Sequence, residues 1–511
     1  MKISRTHILS VIILFSILLR VVTFFSFDRL LPLNGLYVDE KTFSMSPFVQ
    51  GTEGFSRPPG MFVLSMLLHV PGNPATSRMA ISFLSLLPAL ALYIAFRKNG
   101  GTWLTICTAG MILSPFMILY GFQLMPAVPA AVLISFTLLM AKKKKIAFAG
   151  FLAGISILFR AELALIPIFL LALSFRKYFR QWLVFTGYAV IAVLPVIILN
   201  LYAGAGPVIA SNGGENLWLG TDWNLVTTPP GTEFEELVST GNSQSGGNSV
   251  FLDRALNSIR REPLEWLKKG VSKTLAYFTL PGPGRNLETG WVLLRTWLVV
   301  LLPLTLLAIS VGTSVILTRR KSFLQLLAFS IVFTGIASSF IFFPSARFRV
   351  AFLPAFWFLA ASITPDRKYL RFALAPAAGI IIISMLVTYP GMERSGLTSI
   401  LAAEHLLNSG DYTRSAVYLN DAEERGYFGS DFHNIRGVLV SLSGNPQRGL
   451  EEFEKALEIS PDSPTLWKNY AVSLWSNIRY SESVAAAMKA VSLNPLLRDE
   501  LSPILEHAEN L

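Results

Sequence analysis

Apolar runs close to the length of a bilayer crossing succeed one another along the first three quarters of the chain, separated by short polar stretches. A helix needs roughly 20 apolar residues to span about 30 Å of hydrocarbon. On that measure eleven membrane helices are predicted, at about 7–27, 75–96, 102–120, 126–141, 146–159, 163–175, 182–201, 291–317, 322–343, 348–363 and 372–389. Those at 146–159 and 163–175 are short. Residues 59–70 are apolar but meet Pro71 too soon for a comfortable crossing, and read as an interfacial or re-entrant helix. Lys2 and Arg5 precede the first run and no small-residue cleavage site follows Phe27, the pattern of an uncleaved signal anchor.

The polar interruptions orient the runs. Basic clusters fall at Lys2/Arg5, Arg97/Lys98, Lys142 to Lys145, Arg176/Lys177/Arg180, Arg319/Arg320/Lys321 and Arg367/Lys368/Arg371. With eleven crossings all six share one side, which the positive-inside rule makes the cytoplasm. The expectation is a multi-pass protein of a bacterial or archaeal plasma membrane, its N-terminus cytoplasmic. The loops 28–74 and 202–290 and everything after about 390 are then exported. Within the second loop, residues from about Val250 to Tyr277 have helical Leu/Trp spacing interleaved with Arg260, Arg261, Lys268, Lys269 and Lys273. That pattern suits an amphipathic helix on a lipid surface and equally a soluble helix capping the membrane domain.

After Tyr389 the sequence turns polar, which divides the chain into a membrane domain, 1–390, and a soluble domain, 391–511. The soluble part repeats. Trp467, Ala471, Ala490 and Pro495 follow His433, Gly437, Ala456 and Pro461 by 34 residues, and Ala403 and Ala422 precede Gly437 and Ala456 by the same interval. This is the period and small-residue pattern of tetratricopeptide repeats. The expected fold class is all-α: a polytopic transmembrane bundle followed by a helical-repeat domain. Such a stack suits a protein partner, a structural cap or an oligomer surface.

Composition agrees with lipid as the solvent: 52% of residues are hydrophobic, 15% are charged and mean hydropathy is +0.52, values that exclude an ordinary soluble enzyme. The net charge of +11 resides largely in the basic clusters, so no nucleic-acid partner is expected. Cys107, the single cysteine, lies in an apolar run and rules out a disulfide framework. No phosphate-binding glycine loop, dinucleotide fingerprint, nucleophile elbow or histidine cluster occurs, so neither a cofactor nor a metal site is expected.

Charges without an orienting role concentrate on the opposite, outer side. Asp39 and Glu40 follow the first run; Arg57 precedes Pro58 and Pro59; Arg160 and Glu162 sit at a tight outer turn; Arg347 and Arg349 open another run. Outer arginines oppose the positive-inside bias, and an anion such as phosphate is a reason to keep them. A neighbouring carboxylate can take a proton from an incoming hydroxyl or amide. Plainer roles exist for each: a solvated acidic pair, an ion pair stapling a hairpin, arginines snorkelling to headgroups.

In order, Tyr37-Val-Asp-Glu40, Arg57-Pro-Pro-Gly60, Ser114-Pro-Phe116 with Leu119-Tyr-Gly-Phe-Gln123, Phe159-Arg-Ala-Glu162, Asn216-Leu-Trp-Leu-Gly220 and Arg347-Phe-Arg-Val-Ala-Phe-Leu-Pro354 resemble the C-type glycosyltransferase superfamily. That superfamily includes protein O-mannosyltransferases and the aminoarabinose transferase of lipid A, and the likeness covers about residues 7–365. It implies transfer of a sugar, with inversion, from a polyprenyl-phosphate donor to a protein, lipid or glycan acceptor. Asp39 would be the base and Glu40 its support. Arg57, Arg160, Arg347 and Arg349 would hold the donor phosphate, with Glu162 and Tyr120 supporting. Many relatives carry a second acid where this chain has Leu124-Met-Pro-Ala127-Val-Pro, which argues against a metal-dependent scheme and leaves a non-catalytic relative possible on sequence.

Two other readings stand beside it. An O-antigen ligase or polymerase-like transferase would use essential Arg and His in a large outer loop, and 202–290 has no histidine. A membrane-anchored scaffold would recruit envelope partners through the repeats and have no need of Asp39.

Overall fold

The computed structural model describes residues 5–30, 55, 57–70, 72–98, 101–221, 247–280, 297–317, 321–342, 345–363, 367–386, 396–461, 463–494 and 497–507. Among them every regular element is helical and none is a strand. The chain divides into two compact units: Met1–Arg29, Leu33–Trp223 and Asn248–Met392 form the first, and Glu393–Leu511 makes up the body of the second.

The first unit contains α1 (Arg5–Leu30), α2 (Gly60–Leu67), α3 (Pro74–Leu84), α4 (Leu87–Phe96), α5 (Thr102–Ile112), α6 (Pro115–Gly121), α7 (Ala127–Lys142) and α8 (Ile146–Ile157). It continues with α9 (Ile166–Tyr202), α10 (Gly213–Thr221), α11 (Gly247–Arg261), α12 (Pro263–Phe278), α13 (Leu302–Ser314), α14 (Phe323–Ile341), α15 (Ala346–Ala361) and α16 (Arg367–Leu386). Five stretches are long and apolar enough to cross a membrane: His7–Phe25, Pro74–Phe96, Thr102–Gly121, Ala161–Tyr202 and Phe323–Ile341. Ala127–Lys142, Ile146–Ile157, Leu298–Ser314 and Arg371–Leu386 are shorter apolar helices. Their outward faces expose Leu14, Phe25, Ile191 and Met385. Lipid tolerates such faces and water does not, so this is a membrane protein.

The apparent length of α9 conceals a reversal. Tyr178 departs from helical geometry at φ −128°, ψ 26°, and the Trp182 indole N–H donates to the Pro167 carbonyl at 2.8 Å. Fifteen residues of straight helix would separate those groups by about 22 Å, so the helix doubles back at Tyr178. The two arms correspond to the predicted runs 163–175 and 182–201.

Contacts tie the basic ends together. Lys142 Nζ lies over the Phe96 ring, 4.7 Å from its centroid, next to Arg97 and Lys98. The Tyr178 hydroxyl donates to Lys321 O at 3.3 Å, and Gln325 Nε2 donates to Ser362 Oγ at 3.0 Å. Phe96 also packs on Phe358, with centroids 6.0 Å apart.

Small residues let the helices close up. Gly150 and Gly154, one turn apart on α8, face α9 so closely that a Cβ on either would stand 2.1 Å from Phe185 O or 2.4 Å from Ala189 O. In lipid, where apolar surface gains little by association, such backbone approach is a main source of helix pairing. A polar stripe seats α1: Ser16, Arg20 and Thr23 are fully buried on a helix whose other sides are exposed and apolar. The Arg20 guanidinium donates to Ser82 O at 3.1 Å, to Ser85 Oγ at 2.9 Å, to Ile112 O at 3.4 Å and to Ser16 Oγ. It thus joins α1 to α3, α5 and the α3–α4 link.

The second unit comprises α17 (Leu397–Asn408), α18 (Tyr412–Glu424), α19 (Ser430–Leu442), α20 (Pro446–Ile459), α21 (Pro464–Ser476), α22 (Tyr480–Leu493) and α23 (Arg498–His507). Consecutive helices pair, and the second helix of each pair starts at Tyr412, Pro446 or Tyr480, the 34-residue interval of the sequence. Ser415 Oγ donates to Ala403 O at 2.8 Å, and Ser483 Oγ to Ala471 O at 2.7 Å. In the middle pair two glycines take those places, and a Cβ on Gly449 would stand 2.8 Å from Gly437 O. Each turn between paired helices passes through a left-handed residue: Gly410 (φ 81°), Gly444 (φ 87°) and Ile478 (φ 63°).

Candidate active site

The site assembles around the extended residue Arg160, at φ −145°, ψ 101°, between α8 and the 3-10 turn Ala161–Leu165. The segment that carries Arg57 docks there through Gly60. Gly60 N–H donates to Leu158 O at 2.7 Å, and a Cβ at this position would stand 2.7 Å from the Phe159 ring. Two prolines followed by an obligatory glycine therefore deliver Arg57 to Arg160 with little freedom. Asn200, fully buried near the end of α9, fixes the neighbouring strands of chain. Its Oδ1 accepts from Phe55 N at 2.7 Å and its Nδ2 donates to Val208 O at 2.8 Å. Ser211 N–H then donates to Phe55 O at 2.9 Å.

A cavity of 190 Å³ opens among these segments. Arg57, Arg160, Glu162 and Arg347 line it together with Asn212, Asn216 and Ser338. Three guanidinium groups thus meet one carboxylate among the described lining residues, and that carboxylate is paired: Glu162 Oε1 accepts from Nε and Nη2 of Arg160. A pocket lined by three guanidinium groups suits an anion. Phe348 forms the aromatic wall, with the guanidinium carbons of Arg160 and Arg347 at 4.4 and 5.2 Å from its centroid. Cation–π contact of this kind helps hold the guanidinium groups in place.

The other predicted residues fall differently. Arg349 is 2% exposed and does not line the cavity; its Nη1 donates to Thr279 O at 2.7 Å and its guanidinium lies over Phe116 at 4.7 Å. Its place on α15, two residues from Arg347, makes it a buried link to the end of α12. Tyr120 is 2% exposed within α6, and with Tyr277 lies within electrostatic range of Arg349. Asp39 and Glu40 lie outside the described residues. Met125, Pro126 and Ala127, where a second acid was sought in the sequence, do line the cavity. No group of three or more His, Cys, Asp or Glu side chains is placed to hold a metal among the described residues.

Several buried polar residues outside the predicted set hold the surrounding bundle. Asn200 and Arg20 lie inside long apolar runs, where a buried polar side chain is itself the signal. Arg78, whose Nη1 donates to Phe122 O at 2.7 Å, supports the segment leading to Met125. Lys273 and Tyr277 on α12 are buried as well. Burial pushes the Tyr277 hydroxyl well above its ordinary pKa, against the pull of the Arg349 and Arg160 charges. The inward placement of Lys273 shows α12 as a helix packed on the bundle, and Leu264, Leu267 and Val271 face outward.

No model of a known family matches the chain, and a search of curated proteins finds no match.

Proposed function

We propose that the cavity binds the phosphate of a polyprenyl-phosphate sugar, and that the protein is a membrane glycosyltransferase resembling the C-type superfamily. The observation that carries this is the convergence of Arg57, Arg160 and Arg347, from three separated segments, on one cavity. In such a transfer the acceptor attacks the anomeric carbon, the carbon–oxygen bond to the lipid phosphate breaks, and negative charge accumulates on the departing phosphate. Fixed guanidinium groups stabilise that charge most where water is excluded. Asp39, supported by Glu40, takes the acceptor proton.

The grouping of the basic ends at Lys142, Tyr178, Lys321 and Ser362, with the cavity built from other loops, supports eleven crossings with the site on the outer face. The 34-residue spacing of helix pairs in the second unit supports tetratricopeptide repeats.

The deciding experiment measures glycan transfer in membranes that contain wild type or Asp39→Asn, with products weighed by mass spectrometry. Addition of a sugar by wild type alone, at equal protein abundance, upholds the reading, and the mass increment gives the sugar class. Identical products from both refute Asp39 as the base and favour the scaffold.

A further inference from the structure

The cavity has a wall that is held from behind. Gly213 and Asn216 of α10 form one part of the lining, and Ser338 of α14 with Phe342 just beyond it forms another. The two helices meet at their C-terminal ends. There a Cβ on Gly220 would stand 2.5 Å from Ile341 O and 2.9 Å from Phe342 Cα, so only glycine permits the approach. Helix ends leave their last carbonyls without intrahelical donors, and the macrodipole makes both ends negative. Two such ends in contact are stabilised by a hydrogen-bond donor placed between them.

Lys273 supplies it from α12. Its ammonium donates to Gly220 O at 2.7 Å and to Ile341 O at 3.2 Å, and Lys269 Nζ reaches Thr221 O at 3.4 Å. Lys273 is 2% exposed, and Gly270, one turn earlier, seats α12 directly on the Phe340 ring of α14. Burial, reinforced by the Lys269 charge, lowers the Lys273 pKa to about 7. So large a desolvation is tolerated only where the partner carbonyls are well placed.

We propose that Lys273 is the positioning residue of the cavity, a clamp that joins the ends of α10 and α14 and so sets the separation of Asn216 from Ser338 across the ligand. The clamp's functional consequence rests on the cavity being a lipid-phosphate site.

The test uses full-length protein in nanodiscs and compares wild type with Lys273→Met, Lys273→Arg and Gly220→Ala. Lys273→Met removes the donors at similar length; Gly220→Ala forces the same helix ends apart and leaves Lys273 in place. Hydrogen exchange is followed over 213–221, with 127–142 as the internal control of folding, and binding of polyprenyl phosphate is titrated. Lys273→Met and Gly220→Ala are each expected to speed exchange over 213–221 and weaken binding about tenfold, while Lys273→Arg recovers most of both. Unchanged exchange over 213–221 in both variants overturns the clamp. Faster exchange with unchanged binding overturns its role in positioning. If wild type binds no polyprenyl phosphate, the transferase reading fails, and the exchange data alone uphold or reject the clamp.

Discussion

Arg160 and Arg347, 187 positions apart in the chain, stack on the same phenylalanine: their guanidinium carbons lie 4.4 and 5.2 Å from the centroid of Phe348. The first of them also pairs with Glu162 within the cavity. Two cations gathered on one ring repel each other, and an anion bound between them relieves that repulsion. Arg57→Gln, Arg160→Gln and Arg347→Gln are each expected to lower kcat/KM for sugar transfer by roughly 10²- to 10³-fold, the usual cost of one donor to a developing anion. Initial rates with a polyprenyl-phosphate sugar check this; Arg349→Gln, outside the cavity, should instead act mainly on stability.

The α8–α9 contact gives a stability test with a built-in control. A Cβ at Gly154 would stand 2.4 Å from Ala189 O, whereas one at Gly187 would meet nothing within 4 Å. Gly154→Leu is expected to destabilise the protein by about 3 kcal/mol through overpacking, and Gly187→Ala to stabilise by up to about 1 kcal/mol through helix propensity. Thermal unfolding of the two variants in one detergent should move the midpoint in opposite directions.

Ile478 stands at φ 63° where the two preceding pairs have Gly410 and Gly444. A β-branched residue in the left-handed region is strained, and its 74% exposed side chain gains little packing in return. Ile478→Gly should stabilise the last helix pair by about 1 kcal/mol. Slower hydrogen exchange over 464–493 in the intact protein would register it; faster exchange would contradict it.

Asp431 makes the second unit sensitive to pH. Burial raises its carboxyl to a pKa of about 7, although the Tyr427 hydroxyl and Phe432 N–H donate to it, and the Glu404 charge adds to the rise. An unfolded aspartate titrates near 3.9. The folded unit therefore holds a proton that the unfolded chain has released, so stability is full below about pH 4 and falls as pH rises towards about 7. Asp431→Asn should flatten that slope. Glu452 acts oppositely: burial pushes its carboxyl up, but hydrogen bonds from His433 and Lys455 more than offset this and hold it below the usual range.

Much of this was legible in the order of residues. Apolar length marked the membrane helices, and the 34-residue spacing marked the pairs of the second unit, because both depend on local patterns repeated many times. The cavity was legible in part. Arg57, Arg160, Glu162 and Arg347 announced themselves as charges at the edges of apolar runs; Gly60 and Gly220 end two of the quoted motifs, but that they permit close approach emerges only from the packing. The separation of Arg349 from Arg347 was not legible, since two positions along a helix differ by about 200° in direction and only packing decides which faces the cavity. Nor were Asn200 and Lys273, whose partners are backbone carbonyls and amides that no sequence pattern names.

The buried stripe on α1 bears on how the protein is made. Arg20 donates hydrogen bonds to Ser82, Ser85 and Ile112, which follow it by 62, 65 and 92 residues. A guanidinium in the middle of an apolar helix costs several kcal/mol in bare lipid. Until those later segments have been synthesised and inserted, α1 lacks most of the acceptors that its guanidinium uses in the folded protein. Its final seat is thus completed only once residues as far as Ile112 are in place.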